Sequence, residues 1–254
     1  LSIQGMLMNS VTNEIRRLLI FPLKDQAARK NLLFGMLILL GNFIIPVVPT
    51  LFVYGYMARV IRNVVQQDKL EMPEWQDWGE LLKEGLRLFG ALLIYELPLL
   101  MLFLLSYLFI LIPSFMVIPM SDSEMRLGIW FFIIGELMFF VSIAVILLLS
   151  GVYAILMPPM LTHVAVKQEF KAAFRINEWW RVLRANWAGF VAALIVVVGV
   201  SSALYLGFYA LYLSIVFCCL APIAAVAVGF YMIVVSAAAI GDAYRTAEQK
   251  LANA

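Results

Sequence analysis

The sequence predicts an all-α, polytopic membrane protein: four clear transmembrane helices, a first segment that is either proline-kinked or re-entrant, and amphipathic helices at the interface. Three observations carry that reading. Of 254 residues, 64% are hydrophobic and only 13% charged, with a mean hydropathy of +0.97, more apolar surface than a water-soluble globule can hide. The charged residues gather in residues 14–30, 59–87, 122–126, 167–184 and 242–250. The stretches between them are long enough to cross, since roughly 20 apolar residues traverse about 30 Å of hydrocarbon.

Residues 1–30 read as an amphipathic interfacial segment, with Leu7, Val11, Ile15, Leu18 and Leu19 on one helical face. Arg16, Arg17, Lys24, Arg29 and Lys30 follow its apolar part instead of preceding it, the wrong order for a cleaved signal peptide. Residues 31–241 read as a single helical membrane domain, and residues 242–254 as a short polar tail. Within the domain, residues 31–58 carry no charge but are interrupted by Pro46 and Pro49, each of which removes a backbone donor. Residues 88–112 form the next span, bent near Pro98 and closed by Pro113, and residues 127–157 form one that stops at Pro158 and Pro159. Residues 185–241 are too long for one crossing and divide into two, with a turn between Leu213 and Pro222.

Lys and Arg set the orientation. Residues 59–87 and 163–187 are rich in both, and the loop between the second and third spans has only Arg126, so both rich segments are expected on the cytoplasmic side. The basic N-terminal segment asks for that side too, which a re-entrant residue 31–58 segment would satisfy and a full crossing would not. Trp78, Leu81, Leu82, Gly85 and Phe89 share a helical face, with Glu80, Lys83, Glu84 and Arg87 on the others. Residues 170–187 repeat the pattern through Phe170, Phe174, Ile176, Trp180, Leu183 and Trp187, and both stretches read as interfacial helices. Glu74-Trp75 and Glu178-Trp179 mark matching points of a weak parallel repeat, which requires residues 31–58 to cross fully.

Gly55-Tyr56 followed by Arg59 and Arg62, Met72-Pro73-Glu74-Trp75 with Asp77 and Gly79, and Gly85 followed by Tyr95 and Pro98 form a set of short motifs. It continues through Pro158, Ala165 and Ala172-Ala173-Phe174. With these, roughly residues 30–240 resemble the domain of unknown function 4013 family of prokaryotic multispan membrane proteins. Met72 stands where the family pattern prefers Leu. The resemblance implies a helical membrane fold and no activity, with a prokaryotic inner (plasma) membrane, or an internal membrane derived from it, as the expected location.

Catalytic sets are not found. No Walker A loop, Gly-x-Ser-x-Gly elbow, His-Glu-x-x-His or Cys-x-x-Cys occurs, so no enzyme and no cofactor is expected. Cys218 and Cys219, adjacent in an apolar run, read as small buried residues. His163 reads as a hydrogen-bonded interfacial histidine in preference to an axial ligand of a tetrapyrrole. A net charge of +2 gives no case for nucleic acid; the expected partners are the lipid bilayer and other membrane proteins or further copies of the chain.

The candidate polar site is Glu96 and Glu136, the acids within the spans, with Tyr95 beside Glu96. A carboxyl at membrane depth is costly and is a functional candidate by default. Counted from span ends at Leu88 and Leu127, with 1.5 Å per residue, their depths differ by only about 4 Å, close enough to share a proton. The plainer reading is that each is neutral and hydrogen-bonded. Ala221, Ala225 and Gly229, then Ala237 and Gly241, give the last span a small-residue face for close helix packing. These features support two function classes: a non-catalytic accessory or assembly subunit of a larger membrane complex, or a proton-coupled transporter acting as an oligomer.

Overall fold

The structure is a computed structural model that describes residues 3–117, 125–214 and 220–253. They form α1 (Ile3–Ile20), α2 (Gln26–Leu40), α3 (Val48–Gln67), α4 (Trp78–Val117), α5 (Met125–Lys167), α6 (Ile176–Ala185), α7 (Trp187–Leu213) and α8 (Ala221–Ala252), joined by turns and short 3-10 segments, with no strand among the described residues. Helices α4, α5, α7 and α8 are long and apolar enough to cross a membrane, as the four clear spans require. Cys218 and Cys219 lie outside the described residues.

Residues 31–58 fold back on themselves as a helical hairpin of α2 and α3. Asp25 caps α2, its carboxylate accepting from the Ala28 amide at 2.7 Å. The chain turns at residues 41–47, where Val47 adopts a positive φ of 74° and Pro49 occupies the first turn of α3. The Thr50 hydroxyl donates to the Asn42 side chain across the turn at 3.1 Å. Further back, Phe34 of α2 and Phe52 of α3 both contact Trp78, while Asn31 and Tyr56 both contact Trp75. The arms are therefore antiparallel and their charged ends lie together. The tip is apolar and bare, with Phe43 69% and Ile44 83% exposed. The parallel repeat loses the full crossing on which it depended.

The prolines do not end their helices. α4 continues past Pro98 and Pro113 to Val117, and α5 past Pro158 and Pro159 to Lys167. A proline forfeits one intrahelical hydrogen bond, and each of these helices retains dozens of others. The expected polar tail is also helix: α8 runs to Ala252, with Tyr244 and Ala247 buried. Ala243, Tyr244 and Ala247 keep the inward spacing of three and four residues, a pattern that the charges beside them conceal in the sequence.

The chain divides into two compact units, Leu1–Ala91 with Met157–Ala254, and Leu92–Leu156. In the first, α8 is the central helix, packed by α3 and α7 and flanked by α2 and α6. Gly241 of α8 lies against the Val64 side chain of α3. Where α3 meets the start of α4, Gly55 faces the Leu81 carbonyl and Gly85 faces the Leu51 carbonyl, so closely that a Cβ on either would strike backbone. The start of α4 is consequently not an interfacial helix in its own right: Leu81, Glu84, Gly85 and Leu88 are buried against neighbouring helices. α6 keeps more of the expected character, with Trp179, Val182 and Leu183 inside and Ile176 and Trp180 outside.

The second unit is the hairpin of α4 and α5. Gly135 of α5 approaches the Phe109 carbonyl and the Pro113 ring of α4, and Tyr95 neighbours Tyr153 at the other end. Most of its large apolar side chains are exposed.

Candidate functional site

The charged ends of α3, α5 and α8 come together with the starts of α4, α6 and α7 in a polar layer. Its clearest member is Glu84, 5% exposed. One carboxylate oxygen accepts from Arg62 Nη2 at 2.7 Å and the other lies 3.4 Å from Arg59 Nε. Arg59 also donates through Nη1 to the Gln76 carbonyl at 2.7 Å, tying α3 to the loop that carries Trp75. That loop is anchored from within: Trp75 stacks on Tyr56 with centroids 4.2 Å apart and donates its indole N–H to the Asn31 carbonyl at 3.0 Å. The Tyr56 hydroxyl donates to the Pro73 carbonyl at 2.8 Å. Burial raises the Tyr56 phenol well above its usual range, so it remains a donor.

A second cluster joins α5, α6 and α8. His163, 2% exposed, lies 2.8 Å through Nδ1 from the Tyr244 hydroxyl and 3.0 Å through Nε2 from the Glu178 carboxylate. An ionised carboxylate only accepts, so Nε2 carries the proton, and neutral imidazole then accepts from Tyr244 at Nδ1. Both nitrogens are engaged, the hydrogen-bonded reading of this histidine, with none left to ligate a metal centre. Asn186, at the junction of α6 and α7, donates to the Ala243 carbonyl at 2.9 Å and accepts from Lys250 at 2.7 Å. Arg245 pairs with Asp68 and, at 2.7 Å, with Asp242. Chemically the layer is a set of interlocked ion pairs and hydrogen bonds; among the described residues, no group of three His, Cys, Asp or Glu side chains is placed to hold a metal ion.

Glu96 and Glu136 do not meet. With Gly135 against Phe109 and Pro113, Glu136 sits level with the stretch near Ile110, about 14 residues and roughly 20 Å along α4 from Glu96. The depths inferred from sequence fail because α4 and α5 run on past the apolar stretches counted as spans, so the flanking charges do not mark a common register. Both carboxyls are half-exposed, and among the described residues neither has a hydrogen bond or ion pair within the chain. Tyr95 lies toward Tyr153. The small-residue face of α8 divides: Ala237 and Gly241 are buried under α3, Ala221 is buried, but Ala225 is exposed and a Cβ on Gly229 would meet nothing.

Sequence reasoning missed Glu84, placing it on the polar face. The available signal was its spacing, three residues after Leu81 and four before Leu88, which puts it on the buried side. Nothing local marks Tyr244 or Asn186 as partners of residues 81 and 57 positions away.

Many of the residues that build the polar layer fall within the part of the chain that a family model recognises. Comparison with curated proteins and with solved structures gives no match. The family model described as Protein of unknown function (DUF4013) matches residues 38–213, more than half of the chain and inclusive of Gly55, Arg59, Arg62, Trp75, Glu84, Gly85, His163 and Glu178. The chain therefore belongs to the DUF4013 family, with four helices long and apolar enough to cross a membrane.

Proposed function

We propose that this protein is a non-catalytic accessory or assembly subunit of a larger membrane complex. The observation that carries the reading is the α4–α5 hairpin with Glu96 and Glu136, two half-exposed carboxyls without a partner among the described residues, on helices whose apolar faces are mostly bare. Lipid offers such groups nothing, whereas a neighbouring helix can supply hydrogen-bond donors. The uncovered Ala225 and Gly229 of α8 allow another helix close approach. Against this, the transporter reading rested on a carboxyl pair sharing one proton, and a separation of roughly 20 Å leaves it without that support.

The test is extraction in a mild detergent followed by light-scattering mass measurement and identification of co-purifying chains. A stoichiometric complex or homo-oligomer is expected. Glu96→Leu and Glu136→Leu should each weaken partner retention by roughly threefold to tenfold, the worth of one interhelical hydrogen bond in a membrane, with Gln substitutions closer to the parent. A monodisperse monomer whose Leu variants behave as the parent would overturn the reading.

A further inference from the structure

Beneath α1 the first unit contains two adjoining hollows of different chemistry. One is a cavity of about 80 Å³ lined by three acids, Glu14, Asp68 and Asp242, and three bases, Arg17, Lys69 and Arg245. The other is a groove of about 340 Å³ between α1, α7 and α8. Its walls are mostly apolar, among them Ile15, Leu18, Ala192, Ala193 and Val196, together with the polar Asn186 and Thr246. Glu14, Leu18 and Asp242 line both, so the two parts adjoin. The charged part lies at the basic end of the unit, beside Asp68 at the end of α3, and from there Ala192 and Val196 lead along α7 into its apolar run. A polar head at the membrane surface and a tail toward the hydrocarbon is the orientation of a phospholipid.

The charges narrow the class of head. Arg245 already binds Asp68 and Asp242 through its two terminal nitrogens, whereas the side chains of Arg17 and Lys69, which line the same cavity, have no ion pair among the described residues and are open to a phosphate. A purely anionic head would also face three carboxylates, which repel it. A head carrying both a phosphate and a primary ammonium satisfies both sets: the phosphate with Arg17, Lys69 and Arg245, the ammonium with Glu14, Asp68 and Asp242. A quaternary ammonium has no N–H to give those carboxylates. We infer that the cleft under α1 is a binding site for one phospholipid with a phosphoethanolamine head, its acyl chain lying in the groove between α7 and α8. The site is independent of the hairpin on which the assembly role rests.

The test is native mass spectrometry of the delipidated full chain in neutral detergent. Phosphatidylethanolamine, phosphatidylglycerol and phosphatidylcholine of equal chain length are titrated separately, and free phosphoethanolamine is added as a competitor. Phosphatidylethanolamine should be retained first, as one equivalent. Asp242→Asn should reduce its affinity about tenfold, the effect of one lost charge-assisted hydrogen bond, and bring it to the level of phosphatidylcholine, whereas Arg17→Gln, on the phosphate common to the three lipids, should weaken all of them alike. Ala192→Leu, which fills the groove from an exposed position, should also weaken all three lipids. If Asp242→Asn does not fold, Glu14→Gln, exposed on α1, replaces it. Equal retention of the three lipids, an ethanolamine preference that survives the carboxylate substitution, or full displacement by free phosphoethanolamine would each overturn the proposal.

Discussion

Replacing Glu84 with Gln tests whether the layer of charges at the basic end holds the helices together. Glu84 is buried between two guanidinium groups whose own side chains are only 15% and 16% exposed. Gln keeps the shape and can still accept a hydrogen bond, but it cannot offset two positive charges. Breaking a buried ion pair by removing one partner costs about 3–5 kcal/mol, because the surviving charge stays out of water. At roughly 2–4 °C per kcal/mol for a chain of this size, the unfolding midpoint should fall by roughly 6–20 °C. Tryptophan fluorescence during heating in detergent reads the event directly, since Trp75 stacks between Tyr56 and Trp78 one turn from the triad. Glu80→Gln is the control: its partners Lys83 and Arg87 are at the surface, where such pairs contribute about 0–1 kcal/mol. Adding Arg62→Gln to the Glu84 variant should recover part of the loss, a non-additivity expected of groups in one network. If Glu84→Gln and Glu80→Gln melt within about 1 kcal/mol of each other, the triad does not fasten α3 to α4 and the reasoning fails.

Two further outcomes follow from the same packing. Gly85→Ala should destabilise by about 1–3 kcal/mol or more, because the methyl meets the Leu51 backbone, which cannot rotate away, whereas Gly79→Ala, in open space near the start of the same helix, should be neutral or stabilise by up to about 1 kcal/mol; equal effects in thermal unfolding would refute the close α3–α4 crossing. Single cysteines at Asn13, Gln67 and Lys171, in a background lacking Cys218 and Cys219, should all react from the same side of the membrane with an impermeant label, and Asn13 labelling from the opposite side would refute the re-entrant hairpin.

The architecture was legible wherever it depended on composition alone. Four runs almost free of charge, two carrying one acid each and two none, became four helices able to cross, because the exclusion of charge from hydrocarbon acts on each residue regardless of its neighbours. Lys and Arg counts also asked for the N-terminal segment and residues 59–87 on one side, and the antiparallel arms of α2 and α3 supply a means. Boundaries were less legible. Prolines read as helix ends at Pro113 and Pro158 proved internal, since a helix already held over many turns tolerates the loss of one bond that would stop a short one.

Pairings between helices were not legible at all, and Glu96 and Glu136 show why. Their depths were inferred by counting from the nearest charged residue, which assumes that charge marks the membrane boundary on both helices. Register between two apolar helices is set instead by where their backbones can approach, and here that is Gly135 against Phe109 and Pro113. Lipid competes equally for every leucine, so only a residue without a side chain breaks the degeneracy. The same logic operates at Gly55 and Gly85, whose mutual approach brings Glu84 of α4 beside Arg59 and Arg62 of α3. The buried pairs of Glu84 are thus a consequence of glycines on two successive helices: spacing within α4 can place Glu84 on the inner face, but only the crossing of α3 and α4 supplies its partners.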